Sequence, residues 1–163
     1  MFDTSHIHPM IVHFPIALLI VGFLFELVGI VLKKEFYAKT AFYLLILGTL
    51  GVIAAYISGN IAGDGVSESG MLKNALEVHE EAAFLSLLIM ISASIVRIAY
   101  VLLKKNNKVL RWLAFVLFLS GVISIARTGY YGGELVFKHA AGVQFNFGFG
   151  SQDEINSNIG DDD

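Results

Sequence analysis

Residues 10–32 read MIVHFPIALLIVGFLFELVGIVL, and this run decides what kind of protein the chain makes. Its only charged residue is Glu26. At ~1.5 Å per residue, such a helix is long enough to cross the ~30 Å of hydrocarbon in a bilayer. Three further runs have the same character. Residues 40–62 carry no charge, residues 82–103 only Arg97, and residues 112–131 only Arg127. An open strand cannot satisfy its backbone in lipid, so all four are read as helices. The predicted fold is therefore all-α, an integral membrane four-helix bundle. Residues 1–143 form its transmembrane domain and residues 144–163 a flexible tail.

The composition agrees. Of 163 residues, 56% are hydrophobic and only 15% charged, with a mean hydropathy of +0.71. A water-soluble domain of this length needs far more polar surface. The net charge of −3 and the lack of a basic, aromatic-interleaved patch give no footing for nucleic acid. There is no cysteine, which removes disulfides, thiolate metal sites, iron–sulfur clusters and covalent c-type haem. Residues 1–10 contain no Lys or Arg, so the first apolar run is read as a retained span rather than a cleaved signal.

Basic residues set the expected orientation. Lys33, Lys34 and Lys39 follow the first run, and Lys104, Lys105, Lys108 and Arg111 follow the third. The connection over residues 63–81 has one lysine against Asp64, Glu68, Glu77, Glu80 and Glu81. The positive-inside rule then places the first and third loops in the cytoplasm and both termini outside.

All five histidines fall at that outer end. His6, His8 and His13 precede or open helix 1, His79 opens helix 3, and His139 follows helix 4. Pro9 suits a first helical turn, whereas Pro15 removes a backbone bond and predicts a kink. His8 and His13 are five residues apart, ~140° around a helix, so they serve different partners. His13 is the deeper and is expected to be the better ligand. His79 has Glu80 and Glu81 beside it for direct or supporting ligation. Arg127 lies at the same level, placed to meet a loop carboxylate or an anionic group such as a haem propionate.

Other residues read as structural. Gly48, Gly51, Ala55 and Gly59 make a smooth seam on helix 2, as Gly121, Ser124 and Thr128 do on helix 4. Glu26 and Arg97 sit at similar depth on helices that run in the same direction, which permits an ion pair. Gly129, Gly132 and Gly133 are expected to close helix 4, and residues 134–141 to form a separate short amphipathic segment at the interface.

Taken together, the run from His8 to Leu18, Gly59, His79 and the closing stretch from Gly132 to Val143 resemble a bacterial inner-membrane family catalogued as domain of unknown function family 2231. The resemblance covers roughly residues 6–143, with Phe137 and Ala141 where the family often has Tyr and Gly. It implies a four-helix, multi-pass domain of the inner (cytoplasmic) membrane, in some proteins fused to c-type cytochrome modules, and the outer side on which the basic residues place both termini is then the periplasm.

That fusion habit favours redox work. The expected function is a membrane subunit binding haem b through His8, His13, His79 and His139, with His13 and His79 as one axial pair and His8 and His139 as another. Arg127 and Lys138 would meet the propionates. Electrons would pass between a membrane donor and a periplasmic carrier such as a cytochrome, or within a respiratory complex. The alternative is a bare Zn, Cu or non-haem Fe site built from His8, His13, His79 and Glu80. A purely structural subunit is the third reading. No nucleophile motif supports hydrolysis, so no catalytic residue is assigned, and a binding or electron-transfer subunit is favoured over a stand-alone enzyme.

Overall fold

A computed structural model describes residues 7–63, 70–103 and 107–141. Four helices account for nearly all of them: α1 (Ile7–Leu32), α2 (Glu35–Gly63), α3 (Met71–Leu102) and α4 (Lys108–His139). All four are long and apolar enough to cross a membrane, and only 28% of each apolar window is buried inside the protein. The outward faces carry Leu24, Leu50, Ile95, Val116 and Ile123, a surface that lipid rather than water must cover.

The order is up-down-up-down. Helix α1 packs on α2 and α4, and α3 packs on the same two, so α1 and α3 lie on one diagonal of a square. The closest packing is within the two hairpins, α1 with α2 and α3 with α4. The small-residue seams explain why. Gly48 and Gly51 of α2 receive Leu19 and Pro15 of α1, and Gly121 of α4 lies under Met90 of α3. Side chains without bulk let the backbones approach, which drives association where there is no water to expel. Leu19, Leu45, Met90 and Phe118 fill the middle of the bundle.

Polar groups inside this core are paired. Thr49 and Ser94 hydroxyls lie 2.8 Å apart across α2 and α3. Glu26 and Arg97 form a bidentate pair at 3.1 and 2.8 Å, and Arg97 also donates to the Ala38 carbonyl at 3.3 Å. Among the described residues, no buried side-chain nitrogen or oxygen lacks a partner.

Two sequence expectations are corrected. Helix α3 starts at Met71 rather than near residue 82, so His79 sits two turns inside it. Helix α4 runs unbroken through Gly129, Gly132 and Gly133 to His139, so residues 134–139 are its last turns and not a separate segment. Glycine in a helix costs only ~1 kcal/mol relative to Ala and leaves every backbone bond in place. The helix instead stops at Ala140, in the left-handed region at φ 51°. Helix α1 likewise continues through the buried Pro15. His6 and the tail over residues 144–163 lie outside the described residues.

Candidate metal-binding site

Helices α1 and α3 run in parallel, and each brings two polar residues to the bundle axis. Glu26 follows His8 by eighteen residues, and Arg97 follows His79 by eighteen. Eighteen residues make five full turns, so each pair shares one helix face about 27 Å apart along the axis. The two layers therefore sit near opposite edges of the hydrocarbon. Glu26 and Arg97 close one end of the diagonal. His8 and His79 meet at the other, with ring centroids 6.4 Å apart and planes at 76°.

Each imidazole is seated on a glycine of the neighbouring helix. A Cβ on Gly59 would come within 3.0 Å of His8 Cε1, and one on Gly132 within 3.2 Å of His79 Cε1. Any larger residue at either place would push the ring away.

Hydrogen bonds then fix which nitrogen carries the proton. His79 Nδ1 lies 3.2 Å from the Thr128 carbonyl, which can only accept, so Nδ1–H donates. His8 Nδ1 lies 3.0 Å from Ser58 Oγ. The Ser58 hydroxyl already donates to the Ala55 carbonyl at 3.0 Å, so it accepts from His8 Nδ1–H. Both neutral rings thus present an unprotonated Nε2, the arrangement that supporting groups impose on metal-ligating histidines. Thr128 is itself held: its Oγ1 donates to the Ser124 carbonyl at 3.0 Å and lies 2.9 Å from Ser86 Oγ.

The remaining candidates lie elsewhere. His13 is exposed, its Nδ1–H donating to the Pro9 carbonyl of its own helix at 2.6 Å. Thirteen residues separate His13 from Glu26, about 220° off the inward face, so the expected pairing of His13 with His79 gives way to His8 with His79. His139 ends α4, seven residues beyond the glycine under His79, and is not the partner of His8. Arg127 is exposed and turns along its own helix, donating from Nε to Tyr131 Oη at 3.3 Å and stacking on that ring at 5.4 Å. Lys138 pairs with Glu134 one turn back. Neither cation faces the imidazole pair. Glu80 is half-buried and points at Gly63 of α2. Among the described residues, no group of three or more His, Cys, Asp or Glu is gathered to hold one ion, so the four-ligand set of His8, His13, His79 and Glu80 does not assemble.

Comparison with known proteins agrees with the architecture. A family model described as "Predicted membrane protein (DUF2231)" matches residues 4–145. The chain belongs to this family. No curated protein and no solved structure matches it. The DUF2231 match takes in all four helices, and with them both imidazoles and both glycine seats.

Proposed function

We propose that this DUF2231 protein is a membrane electron-transfer subunit in which His8 and His79 would hold haem b. One observation carries the reading. Two imidazoles from diagonal helices meet at one end of the bundle, each tied through Nδ1–H and each left with a free Nε2 lone pair. Non-covalent haem asks the protein for imidazole ligands rather than a cluster of three or more, and His8 and His79 would supply them. The two rings stand 6.4 Å apart, close enough to serve one bound group. When bound, the group would supply one-electron chemistry, while Ser58 and the Thr128 carbonyl would hold the two rings in orientation.

The distribution of lysine and arginine supports an orientation with the histidine end and both termini on the non-cytoplasmic side, which is the periplasm in the bacterial inner membrane that the family resemblance implies. Electrons would then pass between a membrane donor and a periplasmic carrier, a cytochrome or a respiratory complex.

The test is the absorption spectrum of the full chain, purified in detergent from haem-replete cells. A Soret band is expected, retained in His13→Ala and lost in both His8→Ala and His79→Ala. A colourless protein overturns the haem reading. If stoichiometric Zn, Cu or Fe then accompanies it and leaves on either substitution, the same two imidazoles hold a bare ion instead.

A further inference from the structure

The opposite end of the bundle carries a second polar feature that the histidine chemistry does not use. Helix α1 ends at Leu32 and α2 begins at Glu35. The reversal is made at Lys33, whose φ of 53° lies in the left-handed region. This tight turn, with the ends of α3 and α4, encloses a cleft of about 370 Å³. Four cations line it, Lys33, Lys34, Arg97 and Arg111, against two carboxylates, Glu26 and Glu35.

Both carboxylates are already engaged. Glu26 is held by Arg97 at 2.8 Å, and Glu35 pairs with Lys39 at 2.9 Å, one turn along α2. Among the described residues, Lys33, Lys34 and Arg111 make no ion pair. The cleft therefore has a surplus of positive charge and three cations with donors to spare. The first turn of α2 also lines it, adding the positive end of a helix dipole. Exposed apolar side chains flank its lining residues in sequence: Val31 and Leu32 follow Ile30, Phe36 follows Glu35, and Val109 precedes Arg111 by two.

We infer that this cleft binds the phosphate of an anionic phospholipid, its headgroup among Lys33, Lys34 and Arg111 and its acyl chains along the exposed apolar side chains next to them in sequence. The depth fits, because the cleft adjoins the Glu26–Arg97 layer at the edge of the hydrocarbon. Basic pockets between membrane helices take phospholipid headgroups by this combination of charge, donors and adjoining apolar surface. The buried ion pair serves as the floor, since it fixes Arg97 and leaves the three outer cations to the ligand.

Native mass spectrometry and thermal melting of the full chain in detergent test the assignment, with phosphatidylglycerol, phosphatidylcholine, glycerol phosphate and inorganic phosphate as probes. The expected result is a retained phosphatidylglycerol adduct and a raised melting midpoint, with at least tenfold preference over phosphatidylcholine. That preference should vanish in the triple variant Lys33→Ala, Lys34→Ala, Arg111→Ala, and should weaken in Lys34→Glu alone, which keeps the turn. Equal binding of the two lipids, or preference undiminished in both variants, overturns the proposal. Saturation by glycerol phosphate or inorganic phosphate at comparable concentration overturns the lipid assignment and makes the ligand a soluble phosphate.

Discussion

His8 and His79 belong to helices on opposite corners of the bundle, yet their rings stand 6.4 Å apart. The offset between them, 71 residues, is also the offset between Glu26 and Arg97. One parallel register of α1 against α3 therefore produces both contacts. The ion pair at one end and the imidazole pair at the other are two readings of a single alignment.

The two rings are held differently, and substitution separates them. His8 Nδ1–H donates to a side-chain hydroxyl, so Ser58→Ala removes that partner and leaves the Ala55 carbonyl nearby as a weaker substitute. Loss of such a supporting bond lowers metal affinity by about 10–100-fold. His79 donates to a backbone carbonyl, which Thr128→Val leaves in place. Titration of the purified apoprotein with haem, followed at the Soret band, should show weakened binding in Ser58→Ala and near-native binding in Thr128→Val. Equal losses in both would mean that His8 is not oriented by Ser58.

Removing one member of the buried ion pair should be far worse than removing both. Glu26 and Arg97 side chains are only 6% and 8% exposed, so Arg97→Leu strands a carboxylate, and Glu26→Leu strands a guanidinium left with the Ala38 carbonyl and the Tyr100 ring. Breaking a buried pair by deleting one partner costs about 3–5 kcal/mol, whereas replacing both with apolar residues is often neutral. Thermal unfolding in detergent should place the double variant above either single one. Additive losses would show that the two residues stabilise the fold independently and not through each other.

The buried hydroxyls call for a smaller expectation. Ser94 lies 2.8 Å from Thr49, but hydrogen bonds between membrane helices average only about 0.6 kcal/mol. Ser94→Ala should therefore lower stability by well under 1 kcal/mol in a reversible denaturant titration. A loss several times larger would point to a role beyond packing.

How much of this could be read from the residues differs from element to element. The four spans and the small-residue seams of α2 and α4 were legible because lipid imposes length and smoothness directly on composition. The ion pair was legible because charges are rare enough there to be matched by depth. The imidazole pairing was not, since depth alone favours His13. The signal that decides it is angular: eighteen residues separate His8 from Glu26 and His79 from Arg97, while thirteen separate His13 from Glu26. Ser58 and the Thr128 carbonyl carried no signal, because serine and backbone oxygens are everywhere in such helices. Gly132 and Gly133 misled, reading as a helix end when Gly132 is the seat of a side chain from another helix.

That last distinction gives a paired test within one turn of α4. A Cβ at residue 132 would meet His79 Cε1 at 3.2 Å and Nδ1 at 3.5 Å, and a retreat of the ring by a few tenths of an ångström would stretch its 3.2 Å bond to the Thr128 carbonyl. A Cβ at residue 133 meets nothing within 4 Å. Alanine relieves the intrinsic cost of glycine in a helix, about 0.8–1.0 kcal/mol, at both positions. Gly133→Ala should therefore raise the melting midpoint and leave the Soret band unchanged. Gly132→Ala should keep its helical circular dichroism yet lose or shift that band, and Gly59→Ala, whose Cβ would meet His8 Cε1 at 3.0 Å, should do the same from the other side of the pair. If Gly132→Ala and Gly133→Ala behave alike in both measurements, the position of the imidazole on its glycine has no bearing on what the site binds.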